Sequence, residues 1–557
     1  MNGNKGARVL NRIFHICFFV CMAVTFIGTL VTGYIYSRTK EIDADGKAYV
    51  KTVMYSPKVH ILIYGAAILL TVLFCVLYYF SKKDYRKLQS SEKMSAEKKF
   101  RIILFTGIGI MLLIQLYFGA ELKIHARTDL YQVDVYAKSF AKTGSFQGGR
   151  DLISSGKKFY MARYPNNFAI MLILAMLYRV AYLIFGYIPQ YAPVALNVLA
   201  VNVSLLFTVL IAKQLWGRRK AVYTLCLLFI FAPYYVYVPF YYTDTMSMPF
   251  GVIGMYLFIL ALKTDKSLRV RKYVMLACSG ALLFVGFKVK GSIGMIFAAA
   301  LVYALLKCKL KEFACVALAV VMGFGSFAVM YKVGYNTIGL VTEEQAERYE
   351  YPLTHWVMMG LYGRGGWNLK DSNYTHSFET KAEKQEANLK VIKQRVETLL
   401  KNHKLTEHFV TKAVWTWGDG TYFIPGHIKD YVKRSYLHDF VLRDGKYYYT
   451  YYGYSNAFQL VLLLLMLLSI FKGIIRPKVD PLVVIKLSVF ALFLFLLIWE
   501  TRSRYLYNFT PFYILMAVDG VSYLTELSGK LKAVIKKKKI GKKTDSEETV
   551  SLPEANA

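Results

Sequence analysis

The feature that most constrains this chain is a series of apolar runs, each about twenty residues long. Of its 557 residues, 56% are hydrophobic and 19% are charged, and the apolar residues are bunched rather than dispersed. A helix of about twenty apolar residues crosses the roughly 30 Å hydrocarbon core of a bilayer. These runs exclude a simple globular enzyme, and the 16% aromatic content excludes a disordered chain. The sequence therefore predicts an all-α polytopic membrane protein with about 12–13 transmembrane helices.

Thirteen apolar segments can be marked along the chain. They are 13–34, 59–80, 102–120, 168–187, 191–212, 221–238, 246–262, 273–287, 293–306, 312–331, 455–471, 481–499 and 506–524. The first segment follows Lys5, Arg8 and Arg12, as the core of a signal peptide does. It is longer than such a core and has no clear small-residue cleavage site, so we expect an uncleaved membrane anchor.

Lysine and arginine set the predicted orientation. The formal net charge is +35, a value that suggests nucleic acid in a soluble protein. Here the basic residues concentrate between the apolar runs, at 1–12, 81–101, 213–220, 263–272, 307–311, 472–478 and 530–543. The positive-inside rule places these segments in the cytoplasm. The sequence thus predicts a multi-pass protein of the cell membrane, with cytoplasmic termini and no nucleic-acid partner.

This orientation is consistent only if one of the apolar segments does not cross the membrane. An odd number of crossings must separate the first outer loop from the next basic segment, yet two apolar segments, 168–187 and 191–212, lie between them. The first is the better candidate for a segment that does not span, because Arg179 interrupts it. The polar string Tyr164-Pro165-Asn166-Asn167 also gives it a turn-like start. Twelve spanning helices remain.

The segments divide the chain into five parts. These are an N-terminal two-helix addition (1–100), a membrane module (101–331) with a first outer loop at 121–167, a large extracytoplasmic loop (332–454), C-terminal transmembrane helices (455–527) and a basic tail (528–557). The two outer loop regions are large enough to form a cap, and the larger contains a predicted amphipathic helix near 384–402. We expect the tail to be disordered and to contact anionic membrane lipid.

Carboxylates lie in two predicted outer segments. Asp129 and Asp134 follow the third apolar segment, and Asp244 lies in a turn after Tyr242 and Thr243. A carboxylate at the membrane rim can serve as a general base toward an acceptor hydroxyl. Alternatively, Asp129 caps a juxtamembrane helix and Asp244 is a structural turn residue. Asp129 and Asp134 are five positions apart, so on a helix we expect only one of them to face a site.

Several cations on the predicted outer side run against the positive-inside trend. They are Lys288 and Lys290 in one outer turn, and Arg502 and Arg504 near Glu500 and Tyr505 at the end of the twelfth segment. Cations kept at this interface need a partner, and phosphate in the headgroup plane is the natural one. Arginine binds phosphate bidentately, and Glu500 can orient one of the two arginines. The alternative is that these side chains reach ordinary lipid phosphate.

The large loop contains a glycine-rich string with aromatic residues, which includes His355, Trp356 and Arg364. Glycines let the backbone approach a ligand and aromatic rings stack on sugar faces, although such strings more often form turns. The sequence has no histidine cluster with metal-ligand spacing, no P-loop and no G-x-S-x-G motif. Nucleotide hydrolysis is therefore not supported and no cofactor is indicated, while a divalent metal stays open.

Taken in order, these motifs resemble the GT-C superfamily of integral-membrane glycosyltransferases, in particular the bacterial family-39-like enzymes related to protein O-mannosyltransferases. The strings that carry the resemblance are Thr128-Asp129 to Ala137, Tyr164 to Asn167, Tyr242 to Asp244, Lys290-Gly291-Ser292, His355 to Gly360, and Glu500 to Tyr505. The resemblance covers about residues 100–525. Gly291 stands where relatives often have proline, and the two N-terminal helices are an addition to the pattern.

The resemblance implies a GT-C-like enzyme that transfers a sugar from a polyprenyl-phosphate donor to an acceptor at the outer face, with inversion. The acceptor is an envelope glycan, a teichoic acid or a protein. The implied general base is Asp129, or Asp134 in its place. The implied acceptor site contains Asp244, His355, Trp356 and Arg364. The implied donor-phosphate site contains Lys288, Lys290, Arg502 and Arg504, with Glu500 and Tyr505.

Two other functions suit a polytopic bundle with outward-facing cations. One is a transporter or flippase of lipid-linked sugars, and the other is an envelope glycan polymerase or ligase. A transporter usually has internal repeats and ionisable residues near the bilayer midplane. Lys486 is the ionisable residue that lies clearly within a late apolar segment, so the pattern favours the transferase.

Overall fold

The computed structural model describes residues 5–32, 37–42, 48–53, 57–88, 93–151 and 159–548. The N-terminal elements are α1 (Lys5–Thr32), the antiparallel strands β1 (Ser37–Ile42) and β2 (Ala48–Val53), α2 (Pro57–Leu88) and α3 (Lys93–Glu121). Next come α4 (Thr128–Thr143), α5 (Gln147–Asp151), α6 (Tyr160–Arg163), α7 (Phe168–Phe185), α8 (Ala192–Trp216), α9 (Arg218–Phe229) and α10 (Pro233–Val236). They are followed by α11 (Thr243–Met246), α12 (Met248–Lys263), α13 (Arg269–Val289), α14 (Gly294–Lys307) and α15 (Leu310–Ile338).

The large loop is also helical. It contains α16 (Glu343–Tyr349), α17 (Leu353–Gly360), α18 (Leu369–His376), α19 (Lys381–Lys401), α20 (Leu405–Trp417), α21 (Ile424–Ile428) and α22 (His438–Val441). The last helices are α23 (Tyr448–Ile475), α24 (Leu482–Ile498) and α25 (Thr510–Glu548), with a 3-10 segment at Ser503–Phe509. We call residues 339–447, between α15 and α23, the cap.

Among the described residues, nine helices are long and apolar enough to cross a membrane. Two shorter apolar helical stretches, Gly291–Lys307 and Leu482–Ile498, accompany them. The predicted all-α polytopic fold is thereby confirmed. The hairpin of β1 and β2 was not predicted; it joins α1 to α2 within the predicted two-helix addition.

Cross-helix contacts distinguish two ends of the bundle. At the start of α3, Glu97 pairs with Lys213 (2.6 Å) and Arg218 (3.5 Å), so the predicted basic segment 213–220 lies at this end, which we call the basic end. Beyond the other end of α3, Lys123 donates a hydrogen bond to Gln190, just before α8. We call this the distal end.

Helix α7 has both of its ends at the distal end. Gln190, which follows α7, contacts Lys123 there. Asn167, which precedes α7, accepts a hydrogen bond from Tyr242 (2.7 Å). Helix α9 starts at the basic end and α12 ends there, because Lys263, the last residue of α12, contacts the Gln214 carbonyl. Tyr242 lies between these two helices in the chain and is therefore also distal. The geometry therefore agrees with the expectation that 168–187 does not span, although its length and composition alone qualify it as a span.

The segment 221–238, predicted as one continuous span, is broken in the structure. Helix α9 ends at Phe229, and Pro233 begins the separate short helix α10. Proline has no N–H to continue a helical hydrogen-bond ladder, which accounts for the break. The irregular chain that follows carries the buried Tyr237 and Tyr242 to the distal end. This prediction was wrong about continuity, and the break supplies two residues to the site described below.

The C-terminal tail also differs from its prediction as disordered. Helix α25 continues to Glu548. Lysine, alanine and glutamate favour helix, and extending an existing helix avoids the cost of nucleating a new one. Residues 549–557 of the predicted tail lie outside the described residues.

Lys486 is paired with a second ionisable residue of the late apolar segments, Asp519. Asp519 in α25 lies 2.6 Å from Lys472 in α23 and 3.8 Å from Lys486 in α24. Ser469 donates a further hydrogen bond to Asp519 (2.8 Å), and its carbonyl accepts one from Lys486 (2.7 Å). These contacts connect α23, α24 and α25, and they give Lys486 a carboxylate partner inside the protein.

The cap packs on the distal end. Thr416 in α20 shares a hydrogen bond with Thr501 (2.9 Å), and the Thr501 N–H donates to the Gly365 carbonyl (2.7 Å). The predicted amphipathic helix is α19, which starts with a capping box formed by Thr380 and Glu383. These contacts join the cap to the segment that follows α24.

Replacing Asp371 with asparagine is expected to loosen the cap. Its carboxylate, 4% exposed, forms a bidentate pair with Arg395 (2.7 and 2.8 Å), which also donates to the Met358 carbonyl (2.6 Å). Breaking such a pair costs about 3 kcal/mol of stability. Thermal unfolding of the purified protein in detergent should show a lower midpoint. The matched control is Glu386→Gln, which removes an exposed pair with Lys390 and should leave the midpoint unchanged.

The same pair makes a pH-dependent contribution. Burial raises the pKa of Asp371, but hydrogen bonds from Arg395 and Asn368 outweigh it and hold this pKa below its usual value. A lowered folded-state pKa stabilises the protein above the unfolded pKa of about 4 and is lost as pH falls through the folded value. The difference in midpoint between wild type and Asp371→Asn should therefore shrink at acid pH. A difference that grows there would contradict this assignment.

Candidate active site

A buried carboxylate at the distal end is surrounded by cations. Asp244, in the short helix α11, has a side chain that is 1% exposed. One of its oxygens contacts the Lys290 ammonium. The other accepts a hydrogen bond from the Tyr237 hydroxyl (3.1 Å) and lies 4.0 Å from a guanidinium nitrogen of Arg504. Three residues that the sequence singled out in separate segments, Asp244, Lys290 and Arg504, therefore meet at one point, which we call the Asp244 cluster.

Helix ends place these side chains. Lys290 follows the last residue of α13 in an extended conformation (φ −152°), and Arg504 lies in the 3-10 segment after α24. The Tyr505 ring lies 4.9 Å from the Lys290 ammonium and 5.2 Å from the Arg504 guanidinium. The Tyr505 hydroxyl donates to Glu500 (2.6 Å). Glu500 was predicted to orient an arginine directly, but its short contact is to the tyrosine that packs against both cations.

The Asp244 cluster has an excess of positive charge. Lys290 and Arg504, together with Arg502 nearby, contribute three cations against the buried carboxylates of Asp244 and Glu500. The Nε atom of Arg504 is buried without a hydrogen-bond partner among the described residues. Burial lowers the pKa of Lys290, and Asp244 acts in the opposite direction. A buried N–H without an acceptor is costly. The arrangement is therefore suited to an anionic ligand with several oxygen atoms, such as a phosphate.

A chain of hydrogen bonds runs from Asp129 to Tyr242, whose ring lies near Arg504 of this cluster. The Tyr160 hydroxyl donates to Asp129 (2.8 Å) and accepts from the Asn167 amide (2.6 Å). The Asn167 oxygen in turn accepts from the Tyr242 hydroxyl (2.7 Å). The Arg504 guanidinium lies 5.9 Å from the Tyr242 ring. Asp129 is only half-buried, so its carboxylate is held in place and still reachable.

The two acids of the first outer loop have different environments. Asp134 is 4% exposed, accepts a hydrogen bond from Tyr178 (2.6 Å) and pairs with Lys138 (2.5 Å). Asp129 lies in the first turn of α4 and is not its N-cap, which is Arg127. Thr128, immediately before it, has φ +50°, a strained value for a β-branched residue. The local structure thus turns Asp134 into the protein and holds Asp129 toward the Tyr160 chain.

Two predicted phosphate ligands lie apart from Asp244. The Lys288 ammonium lies 4.8 Å from the ring of Tyr331 in α15, and the structure does not bring it to the Asp244 cluster. Arg502 lies 5.1 Å from the ring of Phe423 in the cap. Lys288 lies in the last turn of α13 and Lys290 follows the end of the helix, a difference that the sequence does not show.

The three predicted acceptor-site residues of the cap lie near the end of α24. The His355 ring is buried and shares a hydrogen bond with Thr375 (2.7 Å). The Trp356 ring stacks on that of Trp499 (6.4 Å). Arg364 lies 4.9 Å from the Trp415 ring. Trp499, on which Trp356 packs, and Thr501, which contacts Gly365 of the cap, belong to the segment that leads to Arg504.

Several residues of the site were not predicted from the sequence. They are Tyr160, Tyr237 and His427, while Asn167 and Tyr242 were predicted only as parts of longer strings. Asn167 and Tyr242 could have been predicted as site residues, because they belong to strings that resemble those of the GT-C superfamily. Tyr160, Tyr237 and His427 belong to no motif that would have marked them as site residues in the sequence. Among the described residues, no group of three or more His, Cys, Asp or Glu side chains has a geometry that could hold a metal ion.

Comparisons with known proteins identify the chain as an integral membrane protein. It belongs to the family of conserved hypothetical integral membrane proteins, whose model matches residues 7–523. No curated protein matches the sequence.

Three solved structures are similar to it. One is the archaeal oligosaccharyltransferase AglB from Archaeoglobus fulgidus, in complex with an inhibitory peptide and a dolichol-phosphate (12% identity, TM-score 0.36, 77% of this chain and 51% of that chain). The others are ArnT from Cupriavidus metallidurans bound to undecaprenyl phosphate (10%, 0.30, 75% and 77%) and in the apo state (12%, 0.29, 76% and 78%). This chain spans about half the length of AglB.

Proposed function

We propose that this protein is a membrane glycosyltransferase that moves a sugar from a polyprenyl-phosphate donor to an acceptor hydroxyl. The observation that carries the proposal is the Asp244 cluster, in which Lys290 and Arg504 leave an excess of positive charge at the distal end of a membrane bundle. A lipid-linked phosphate reaches such a site from the bilayer. The resemblance to GT-C enzymes, stated from the motifs, supports the same reaction class.

In the reaction, the bond between the anomeric carbon and a phosphate oxygen breaks, and its electron pair passes to the phosphate. Lys290 and Arg504 stabilise the negative charge that grows on this leaving group. Arg502, which lies over the Phe423 ring, adds positive charge at the edge of this site. Asp244 keeps the two buried cations at fixed positions, so that little reorganisation is needed when the charge develops, and it borders the acceptor site.

Asp129 is the general base of this proposal. It removes the proton of the acceptor hydroxyl as the hydroxyl oxygen forms a bond to the anomeric carbon. The hydrogen bond from Tyr160 fixes one carboxylate oxygen and orients the group. Attack on the face opposite the phosphate inverts the anomeric centre. The strained Thr128 is consistent with a functional constraint at this position.

The cap and the charge pattern support the remaining assignments. The positive-inside rule places the basic end in the cytoplasm, so the distal end with the Asp244 cluster faces outward. His355, Trp356 and Arg364 belong to the acceptor side, where aromatic rings can stack on a sugar or hold a peptide. The acceptor is an envelope glycan, a teichoic acid or a protein, and the basic tail contacts anionic lipid.

Transfer is tested with the purified protein in nanodiscs. With a radiolabelled polyprenyl-phosphate-hexose and a panel of envelope acceptors, we expect acceptor-dependent release of polyprenyl phosphate and a labelled product. The alternatives predict other outcomes. A flippase moves the intact lipid-linked sugar across liposomes without cleavage, and a polymerase or ligase joins glycan chains to one another. Intact donor with every acceptor, together with transbilayer movement, would overturn the proposal.

A further inference from the structure

One histidine of the cap lies against the Asp244 cluster. The ring of His427, in α21, stacks on Phe240 with 3.8 Å between ring centroids and 15° between planes. The ring of Tyr237, whose hydroxyl donates to Asp244, lies edge-on at 5.9 Å from the same imidazole. The cap thus places a titratable side chain beside the cluster, and the chemistry proposed above does not use it.

The turn that precedes α21 positions the His427 ring. Tyr422 and Phe423, just before α21, have φ of 51° and 62°, in the left-handed region that non-glycine residues rarely adopt. Asp419 accepts hydrogen bonds from the Phe423 N–H (3.2 Å) and from the Ser503 hydroxyl (2.6 Å). Ser503 directly precedes Arg504. Such backbone strain persists where surrounding contacts over-determine it, and here they hold His427 next to the arginine segment.

The imidazole is neutral and has an unused nitrogen. Its Nε2 atom is buried and has no hydrogen-bond partner among the described residues. Burial lowers the pKa of His427, as do Arg504, Arg502 and Lys290, whereas Asp244 raises it. A neutral imidazole carries one N–H, so it can donate a hydrogen bond without adding a further positive charge. Arg504 Nε, in the same group of residues, also lacks a partner.

We propose that His427 donates a hydrogen bond from Nε2 to the phosphate group of the lipid donor, so that the cap supplies a ligand to a site otherwise built from Asp244, Lys290 and Arg504. This inference rests on the proposed function and deepens it. Phosphate binding then depends on the seating of the cap through Asp419 and Ser503. The hydrogen bond from neutral His427 orients the phosphate, while Lys290 and Arg504 supply the positive charge that balances it.

Binding to the full chain in nanodiscs tests this contact, with undecaprenyl phosphate, undecaprenol and inorganic phosphate as probes. His427→Phe keeps a ring to stack on Phe240 but removes the donor, and His427→Gln keeps a donor. We expect His427→Phe to lower the affinity for undecaprenyl phosphate about tenfold and His427→Gln to lower it less. Neither substitution should change the affinity for undecaprenol. The control His125→Gln alters an exposed histidine of the first outer loop and should bind all probes as wild type does.

The outcomes separate the two proposals. If His427→Phe binds undecaprenyl phosphate as tightly as wild type, the inference is wrong. If wild type itself binds undecaprenyl phosphate no more tightly than undecaprenol, the phosphate site and with it the proposed function fail. Displacement by inorganic phosphate that is also tenfold weaker in the variant supports the contact and identifies free phosphate as a ligand. Should thermal unfolding show that His427→Phe does not fold, His427→Met, which also lacks a donor, is judged by the same criterion.

Discussion

Replacing Asp129 with asparagine should reduce sugar transfer by about 10²–10⁴-fold, the range that a lost general base produces. Asparagine keeps the size of the side chain and can still accept the hydrogen bond from Tyr160. It cannot take a proton from the acceptor hydroxyl. We therefore expect kcat to fall while the affinity for the polyprenyl-phosphate donor stays the same. Single-turnover transfer and donor binding, measured on the same preparation, separate the two effects.

The matched control is Asp134→Asn, five residues along the same helix. Asp134 is buried between Lys138 and Tyr178, so this substitution should lower the thermal unfolding midpoint and leave kcat of the folded fraction near that of wild type. The reverse pattern, with transfer intact in Asp129→Asn and lost in Asp134→Asn, would move the base to Asp134. If neither substitution affects transfer, an aspartate base in this loop is wrong.

Replacing Lys290 with methionine should lower kcat/KM by about 10²–10³-fold, as expected when a preorganised group that stabilises transition-state charge is removed. Methionine fills a similar volume but carries no charge. Both donor affinity and kcat should fall, because the phosphate is bound before the reaction and gains charge during it. Transfer kinetics over a range of donor concentrations give the two values separately.

Loss of Lys290 also leaves Asp244 buried with a distant partner, Arg504 at 4.0 Å, so Lys290→Met is expected to be less stable. The double variant with Asp244→Asn removes that unpaired charge and should recover stability without recovering transfer. Lys288→Met, two residues earlier, removes a cation that faces Tyr331 and should retain most of the activity. Equal losses for Lys288→Met and Lys290→Met would contradict the geometry of the Asp244 cluster.

The contrast between these two lysines shows where prediction from sequence stops. Both stand in one outer turn against the charge trend, and that trend is a property of the chain that any reader of the sequence can see. Which of them faces Asp244 depends on where α13 ends, and Lys290 leaves the helix whereas Lys288 is still within it. The same limit applies to Asp129 and Asp134, whose roles depend on which face of α4 packs on α7.

Segment 168–187 shows the limit at the level of the fold. A helix that crosses a membrane and a helix that lies along one end of a bundle can have the same apolar composition. The positions of the basic segments require that one apolar segment does not cross the membrane, and the contacts of Gln190 and Asn167 identify that segment. Conversely, segment 221–238 is apolar throughout and is nevertheless broken at Pro233.

The sequence by itself determined the membrane class, the apolar helices and the unusual cations and acids, because hydrophobic run length and charge placement are local properties of a chain. Only the tertiary structure decided which of these residues meet. The chain from Asp129 through Tyr160 and Asn167 to Tyr242 joins three segments, and His427 comes from a fourth. Contacts between residues so far apart in sequence arise from helix packing and from the seating of the cap, and these leave no periodic signal in the order of the amino acids.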